Sequence, residues 1–308
     1  MSLIVVGTMA FDAIETPFGK TDRIIGGSAT YAAYAASNFT QPIYQVSIVG
    51  SDFPQDEMDA LTSRGVSLEG VEVVKGKKSF FWSGKYHLDM NTRDTLVTDL
   101  NVLLDFNPVI PSSYQGAKFL MLGNLDPKIQ HKVIGQLNKR PRLIVMDTMN
   151  FWMTSAMPEL EEVLKQVDVL MVNDSEAREL SGQYSLVKAA KEILKMGPKY
   201  LIIKKGEHGA LLFHDDNVFV APALPLEEVF DPTGAGDTFA GGFMGHITRT
   251  EDISFENMKR AIIVGSALAS FCVEKFGPER LKEITREEIQ DRIRQFVQLA
   301  NFDIELDS

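Results

Sequence analysis

The chain has 308 residues, of which 44% are hydrophobic and 24% charged, and its formal net charge is −11 at pH 7. This composition is typical of a globular protein with one large α/β domain or two smaller ones. The acidic balance disfavours nucleic-acid binding, which requires basic partners for phosphates. The single cysteine excludes an intrachain disulfide and a multi-cysteine zinc site.

The sequence gives no indication of a membrane segment. The longest apolar run of interest, residues 261–273, is shorter than the roughly 20 residues that a bilayer requires. Residues 1–7 carry no basic leader pattern and predict a short buried strand. Because Cys272 lies in an apolar stretch, we expect a buried thiol, and because it is the single cysteine we expect a reducing compartment. The lack of a leader pattern and of a membrane segment adds the expectation of a cytoplasmic location.

Short runs rich in branched aliphatic residues recur along the chain. Nearly every residue in them is apolar, so both faces should be buried, as in a parallel sheet. The predicted strands are 3–6, 46–49, 119–122, 143–146, 169–172 and 200–203. Amphipathic segments between them, such as 55–64 and 186–196, predict helices. The alternation predicts an α/β fold with a doubly wound, mostly parallel sheet flanked by helices.

Residues 71–104 interrupt this alternation. They show short strands with aromatic and turn residues but no helical pattern, which predicts a small antiparallel lid. Residues 13–25 supply a further strand of it. Because no composition break marks a linker, we predict one domain, 1–308, with a discontinuous lid formed by about 13–25 and 71–104.

The run 231–237 (Asp-Pro-Thr-Gly-Ala-Gly-Asp) carries the most specific chemical signal. Its small residues let the N–H groups of Gly234, Ala235 and Gly236 converge, and a helix beginning there adds the positive end of its dipole. Such an anion hole fits a phosphoryl group during transfer. Asp237 lies at its rim and can accept a proton from an attacking hydroxyl. The helix end should keep Asp237 ionised and weakly basic, which suffices when proton transfer comes late.

The alternative is an ordinary helix start, with an aspartate cap and glycines in a turn. The spacing of the two aspartates and the small residues throughout favour the anion hole. The order of residues excludes a Walker A loop. No Gly-x-Gly-x-x-Gly run follows the first strand, so a nicotinamide-dependent enzyme is a weak rival.

The run resembles the second signature of the ribokinase-like (PfkB-type) sugar and nucleoside kinases. Residues 7–12 resemble that family's first strand and the acid that holds substrate hydroxyls, and Gly26-Gly27 resembles its diglycine. Residues 173–176 (Asn-Asp-Ser-Glu) resemble its Asn-x-x-Glu motif, and 204–207 (Lys-Lys-Gly-Glu) its segment beside the nucleotide. The resemblance covers nearly the whole chain.

The resemblance implies an ATP-dependent kinase with Asp237 as the catalytic base and residues 234–236 as the anion hole. Asp12 would accept hydrogen bonds from paired sugar hydroxyls, and Gly26 and Gly27 would allow the sugar to approach the backbone closely. Without the family context, Asp12 reads equally well as a turn residue at a strand end.

The resemblance also implies cofactor sites. Asn173 and Glu176 would organise water around Mg²⁺, although the same pair is also typical of a helix cap with a first-turn acid. Lys204 and Gly206 would contact ATP. A monovalent cation, usually K⁺ in this family, would lie near two residues of the signature, Asp231 and Thr233.

The acceptor substrate is suggested by departures from the family pattern. Where ribokinases carry Lys and Asn after the diglycine, this chain has Ser28 and Tyr31, and Asn124 replaces a sheet-end Glu. These changes remove polar contacts to a free pentose, so we predict substrate contacts from Tyr31 and Asn124. The predicted lid carries four further aromatic residues, Phe80, Phe81, Trp82 and Tyr86. They can stack a nucleobase, or they can form the core of the lid or a dimer seam.

These observations favour phosphorylation of a primary hydroxyl of an adenosine-like nucleoside. A kinase of a free sugar or sugar acid (ketose, hexose or 2-keto-3-deoxy acid) is the alternative, and a non-catalytic ligand sensor on the same fold is a second. Asn91 and Arg93 could reach phosphates or ribose when the lid closes, or form a solvated edge. We expect no nucleic-acid or membrane partner, and either a monomer or a lid-mediated homodimer.

Overall fold

The computed structural model describes residues 2–301, so residue 1 and residues 302–308 of the predicted domain lie outside the described residues. Strands and helices alternate along most of this length. The strands are β1 (Leu3–Val6), β2 (Ala10–Thr16), β3 (Gly19–Lys20), β4 (Ile24–Gly26), β5 (Ile43–Gly50), β6 (Val66–Val74), β7 (Phe80–Tyr86), β8 (Arg93–Asp99), β9 (Phe119–Leu122), β10 (Leu143–Asp147), β11 (Val169–Asn173), β12 (Tyr200–Lys204), β13 (Ala210–His214) and β14 (Asn217–Ala221). The helices are α1 (Ser28–Ala36), α2 (Gln55–Ser63), α3 (Pro127–Gly135), α4 (Asn150–Ser155), α5 (Met157–Leu164), α6 (Asp174–Ser181), α7 (Leu186–Leu194), α8 (Ala235–Thr250), α9 (Phe255–Cys272), α10 (Glu279–Glu283) and α11 (Arg286–Leu299).

A large sheet forms the centre of the protein. Within residues 2–301 it has nine strands in the order β14-β13-β12-β11-β10-β9-β1-β5-β6. The neighbouring strands β12, β11, β10, β9, β1, β5 and β6 run parallel to one another, whereas β13 pairs antiparallel with β12 and β14 pairs antiparallel with β13. All residues of β1, β9 and β10 are buried, as their uniformly apolar runs predict. All six predicted strands and the doubly wound fold class are confirmed.

The order in which the chain adds strands to the sheet reverses between β1 and β9. The chain first extends from β1 to β5 and β6 on one side, and then from β9 to β14 on the other. In such sheets ligands bind outside the carboxyl ends of the strands at this reversal. We therefore expect a ligand site at the segments that follow β1, β9 and β10 at that edge.

Two helical layers cover the sheet and contain the hydrophobic core. Apolar side chains of α1, α8 and α9 pack on one face, and those of α3, α5, α6 and α7 pack on the other. Helix α8 lies between α1 and α9. Its first turn is therefore held in a fixed position at the carboxyl edge of the sheet.

The small sheet begins directly after β1 and continues after β6. In the described range it contains five strands, in the order β3-β2-β7-β8 with β4 paired to β2. All of its pairs are antiparallel except β2 with β7, which is parallel because β7 returns from the large sheet. The predicted lid segments fall largely in this sheet, but residues 71–74 belong to β6 of the large sheet. None of the helices described is long and apolar enough to cross a membrane.

Candidate active site

The first turn of α8 presents unpaired backbone N–H groups at the carboxyl edge of the large sheet. Gly234 precedes the helix in the left-handed conformation (φ 75°), and Ala235 donates its N–H to the carbonyl of Pro232 at 3.2 Å. Among the described residues, the N–H groups of Gly234 and Gly236 have no acceptor. The turn therefore leaves two of the three predicted donors free, and the third closes the turn. Free N–H groups at a helix start attract anions.

Asp237 lies one residue further on, in a cluster of charges. Burial, followed by the negative charge of Asp147, raises the pKa of its carboxyl group to about 7, although Lys204 and Arg93 act in the opposite direction. We expected the helix end to keep Asp237 ionised and weakly basic. That expectation is wrong, because burial favours the protonated form of the carboxyl group. A carboxylate with a pKa near 7 is a competent general base.

Asp12 lies opposite Asp237 in the interior of β2, so its interpretation as a strand-end turn residue is wrong. Its side chain folds back over β4, since a Cβ on Gly26 would lie 2.0 Å from its Oδ2 atom. Burial, followed by the charges of Asp231 and Asp237, raises its pKa to about 8. Asp12 makes no hydrogen bond through its side chain within residues 2–301, and the missing Cβ of Gly26 leaves room for its carboxyl group. This buried carboxyl group can accept hydrogen bonds from hydroxyl groups of a ligand.

Asn173 and Glu176 form a complete capping box at the start of α6. The Asn173 side chain accepts the Glu176 N–H, and Glu176 Oε2 accepts the Asn173 N–H at 2.7 Å. The helix-cap alternative is thus confirmed for the unliganded protein. Burial, together with the charge of Asp147, raises the pKa of Glu176 to about 7. Glu176 Oε1 has no hydrogen-bond partner in the described part of the chain, so this oxygen remains available to a magnesium-bound water.

Asp231 is buried beside the anion-hole turn. Its carboxylate accepts the N–H of Thr233 at 2.8 Å and that of Gly277 at 3.0 Å. Each oxygen keeps a further lone pair, so the group fits a monovalent cation that prefers oxygen ligands. No group of three or more His, Cys, Asp and Glu side chains suited to a metal occurs in residues 2–301. A divalent cation there would depend on water and substrate oxygens for most of its ligands.

Lys204 and Asp147 form an ion pair that the sequence did not reveal. Lys204 Nζ lies 2.6 Å from Asp147 Oδ2, and their side chains are only 18% and 9% exposed. The same Nζ lies 3.1 Å from the position of a Cβ on Gly236. A cation therefore lies directly against the anion hole.

The small sheet covers this edge and contacts the anion-hole turn. The Thr233 hydroxyl donates to the Tyr86 hydroxyl at 3.1 Å. Asn91, at the hairpin tip between β7 and β8, lies against Gly206, since a Cβ there would be 2.4 Å from Asn91 Oδ1. Arg93 pairs with Tyr86 across the hairpin and influences Asp237 electrostatically. The small sheet is therefore positioned over the site.

The family is decided by comparison with known proteins. The model of the pfkB family of carbohydrate kinases matches residues 2–284. The chain belongs to this family of kinases. A cytidine kinase of Thermococcus kodakarensis is 29% identical over 81% of this chain and 89% of its own length.

Solved pfkB-type kinases share the fold. A nucleoside kinase of Burkholderia thailandensis in complex with inosine superimposes with a TM-score of 0.76 at 22% identity, covering 96% of this chain and 98% of that one. Ribokinase of Arabidopsis thaliana with ribose and ATP gives a TM-score of 0.75 at 21% identity, covering 95% and 98%. Because one acceptor is a nucleoside and the other a free sugar, the fold alone leaves the acceptor open.

Two predicted substrate contacts occupy other positions in this pfkB kinase. Tyr31 is 1% exposed, its hydroxyl has no hydrogen-bond partner in the described residues, and its ring packs beneath Gly234. Its ring has no face open to a base, so it supports the turn instead. Asn124 is half-buried and engaged with α4, where its Oδ1 accepts the indole N–H of Trp152 at 2.8 Å.

The contact between Tyr31 and Gly234 should make this glycine irreplaceable. A Cβ on Gly234 would lie 2.4 Å from the Tyr31 ring, and its φ of 75° disfavours other residues. We expect Gly234→Ala to lower the free energy of unfolding by roughly 2–4 kcal/mol and to impair kinase activity. Urea unfolding measures the first effect. Gly135→Ala, in a helix with nothing within 4 Å, is the matched control and should not destabilise; equal stability of the two variants would contradict the prediction.

Proposed function

We propose that the protein transfers the γ-phosphoryl group of ATP to a primary hydroxyl of a nucleoside. The observation that carries the nucleoside is the register of β2 with β7, which pairs Asp12 with Trp82. Paired residues of parallel strands point to the same face of a sheet. The carboxyl group that suits ribose hydroxyls and a large aromatic ring are therefore neighbours over the site.

Trp82 is the lid aromatic best placed to stack a nucleobase. Its ring lies over Gly84, which provides space for it on that face, and its indole N–H donates to Thr95 at 3.3 Å. Tyr86 is engaged with Thr233, and Phe81 packs toward the hydrophobic core. Stacking on an aromatic ring contributes about 1–3 kcal/mol per base.

The chemistry follows from the positions of the charged groups. The primary hydroxyl of the nucleoside attacks the γ-phosphorus, Asp237 accepts the hydroxyl proton, and the bond from the γ-phosphorus to its bridging oxygen breaks to release ADP. The N–H groups of Gly234 and Gly236 stabilise the charge that gathers on the transferred oxygens. Arg93, which lies near Asp237 and Glu176, adds positive charge from the lid side.

The predicted cofactor sites fit the same arrangement. Asn173 and Glu176 would hold water of a Mg²⁺ ion bound with ATP, which would neutralise phosphate charge. Asp231 and Thr233 would offer oxygen atoms to a K⁺ ion. Asn91 at the lid tip contacts Gly206, in the segment that we propose binds ATP. A lid in this position would exclude water from the reacting groups.

A substrate panel with a Trp82 variant tests the proposal. With ATP and Mg²⁺, we expect higher kcat/KM for nucleosides than for ketoses, hexoses, ribose or 2-keto-3-deoxy acids. Trp82→Ala should raise KM for the preferred nucleoside about tenfold to a hundredfold and leave KM for ATP unchanged. Leu88→Ala, on the lid tip and 89% exposed, serves as the control.

The outcomes separate the alternatives. Faster turnover of any free sugar than of all nucleosides would replace the nucleoside with that sugar, and Trp82→Ala would then have little effect. Nucleoside binding without ADP formation under any cation condition would identify a ligand sensor. Either result overturns the proposed function.

A further inference from the structure

A buried ion pair crosses the carboxyl edge of the large sheet next to the anion hole. Asp147 ends β10 and Lys204 ends β12, and β11 lies between them. The long Lys204 side chain spans the intervening strand to reach Asp147 Oδ2 at 2.6 Å. The pair therefore holds the Lys204 ammonium group at a fixed position beneath the start of α6.

The position of the ammonium group has a chemical consequence. Lys204 Nζ lies 3.1 Å from where a Cβ of Gly236 would stand, and the Gly236 N–H is one of the free donors of the anion hole. Lys204 retains 18% exposure, so a ligand can contact it from the site. An ammonium group this close to free N–H groups adds a full positive charge to the place where phosphoryl oxygens would gather.

Maintaining a buried lysine as a cation requires a partner, and Asp147 provides it. Burial disfavours the charge of Lys204, but Asp147 and Glu176 raise its pKa above the ordinary value. Asp147 also acts on the catalytic carboxyl groups, since its charge raises the pKa of both Asp237 and Glu176. One aspartate thus faces a cation and two acids.

We propose that Asp147 is a positioning residue that holds Lys204 against Gly236, so that Lys204 contacts the γ-phosphoryl group and forms the cationic wall of the anion hole. This inference rests on the proposed function for the location of the transferred group. Sequence resemblance assigned Lys204 to the nucleotide in general and gave Asp147 no role. Here the two residues act as a unit on the transferred phosphoryl group.

A double-mutant cycle tests the coupling. Lys204→Met should lower kcat by about 10²- to 10³-fold, the typical loss for one oxyanion donor. Asp147→Asn should lower kcat by about tenfold or more in the wild-type background but have little effect in the Lys204→Met background, because it acts through Lys204. An equal effect of Asp147→Asn in both backgrounds would overturn the positioning role.

The pH profile gives a readout that loss of structure alone would not produce. Besides burial, the charged groups that shift the pKa of Asp237 are Asp147, Lys204 and Arg93, and the charge of Asp237 in turn raises the pKa of Asp12. Lys204→Met removes a cation and should move the acid limb of kcat/KM for ATP to higher pH. Asp147→Asn removes a like charge and should move it to lower pH. Shifts in the same direction would contradict the proposed electrostatic roles.

Binding measurements keep the test independent of turnover and of folding defects. Each single variant leaves one buried charge unpaired, whereas Asp147→Asn/Lys204→Met leaves none. We expect this double variant to lose affinity for a non-hydrolysable ATP analogue about tenfold to a hundredfold and to bind ADP as the wild type does. Lys199→Met, at the other end of β12 where it pairs with Asp168, is the matched control.

The two proposals fail in different ways. If no nucleoside is phosphorylated but the analogue loses affinity selectively in the double variant, only the proposed function fails. If nucleosides are phosphorylated and the double variant binds the analogue and ADP with unchanged affinities, Lys204 does not contact the γ-phosphoryl group and this inference is overturned.

Discussion

Replacing Asp237 with asparagine should lower kcat by roughly 10²- to 10⁴-fold and leave the affinities for nucleotide and nucleoside close to wild type. The carboxyl group is buried, has a pKa of about 7, and follows directly on the free N–H group of Gly236. Asparagine retains its size but cannot accept the hydroxyl proton. The loss should therefore appear in kcat, measured by coupled ADP release, and not in Kd values from calorimetry.

The ionisation of Asp237 predicts the pH dependence. Because a base must be ionised to accept a proton, kcat/KM for ATP at saturating nucleoside should rise with pH up to about 7 and then level off. Glu176, with a pKa also about 7, contributes to the same limb, so comparison with Asp237→Asn isolates the part due to Asp237. Asp56→Asn, a first-turn acid of α2, controls for loss of a helix-start charge. Near-normal turnover of Asp237→Asn would exclude Asp237 as the base.

The fold could be predicted because its signals are local. Uniformly apolar runs such as those of β1, β9 and β10 can be satisfied only in a sheet buried on both faces. The turn into α8 was also predictable, since residues 231–237 leave few conformations other than a turn into a helix. Its N–H pattern was not, because the bond from Ala235 to Pro232 depends on the detailed turn geometry.

The position of Tyr31 was misjudged although a signal for it existed. Every residue of α1 is buried, and the sequence of this helix has no strongly polar face, which is typical of a helix packed on all sides. Tyr31 therefore faces the core under Gly234 and not a substrate. An aromatic residue next to a glycine motif does not by itself indicate a ligand contact.

Other features of the site depend on tertiary order that the sequence does not contain. Asp147 and Lys204 end strands β10 and β12, and only the single strand β11 lies between these two in the sheet, so the Lys204 side chain can reach Asp147. The pairing of Trp82 with Asp12 follows from the register of β2 with β7, which residue spacing does not report. The raised pKa of Asp237 reflects burial, which residue spacing does not report.

Asp12→Asn should stabilise the unliganded protein at alkaline pH while reducing kcat/KM for the nucleoside by roughly 10²-fold or more, since hydrogen bonds to a charged group contribute about 1.5–3 kcal/mol each. Asp12 is 4% exposed and its pKa is raised to about 8 from 3.8, mainly by burial and then by Asp231 and Asp237. The folded protein therefore favours the protonated carboxyl group. Its contribution to stability is complete below pH 3.8 and is lost as pH rises through about 8.

The thermal unfolding midpoint of Asp12→Asn should thus match that of the wild type only below pH 3.8, exceed it increasingly as the pH rises toward 8, and exceed it at pH 9 by roughly 5 °C or more. Ribose hydroxyls donate to the ionised carboxylate, so nucleoside binding to the wild type should release a proton between pH 6 and about 8, detectable by calorimetry in buffers of different ionisation enthalpy. Glu15→Gln, on the same strand but paired with Lys85, should leave KM for the nucleoside unchanged. The contrary result would be a wild type that is as stable as Asp12→Asn at pH 9 and that binds nucleoside without releasing a proton. It would show that Asp12 is already ionised in the free protein. Burial and the charges of Asp231 and Asp237 would then not raise its pKa, and nucleoside binding would not act by lowering it.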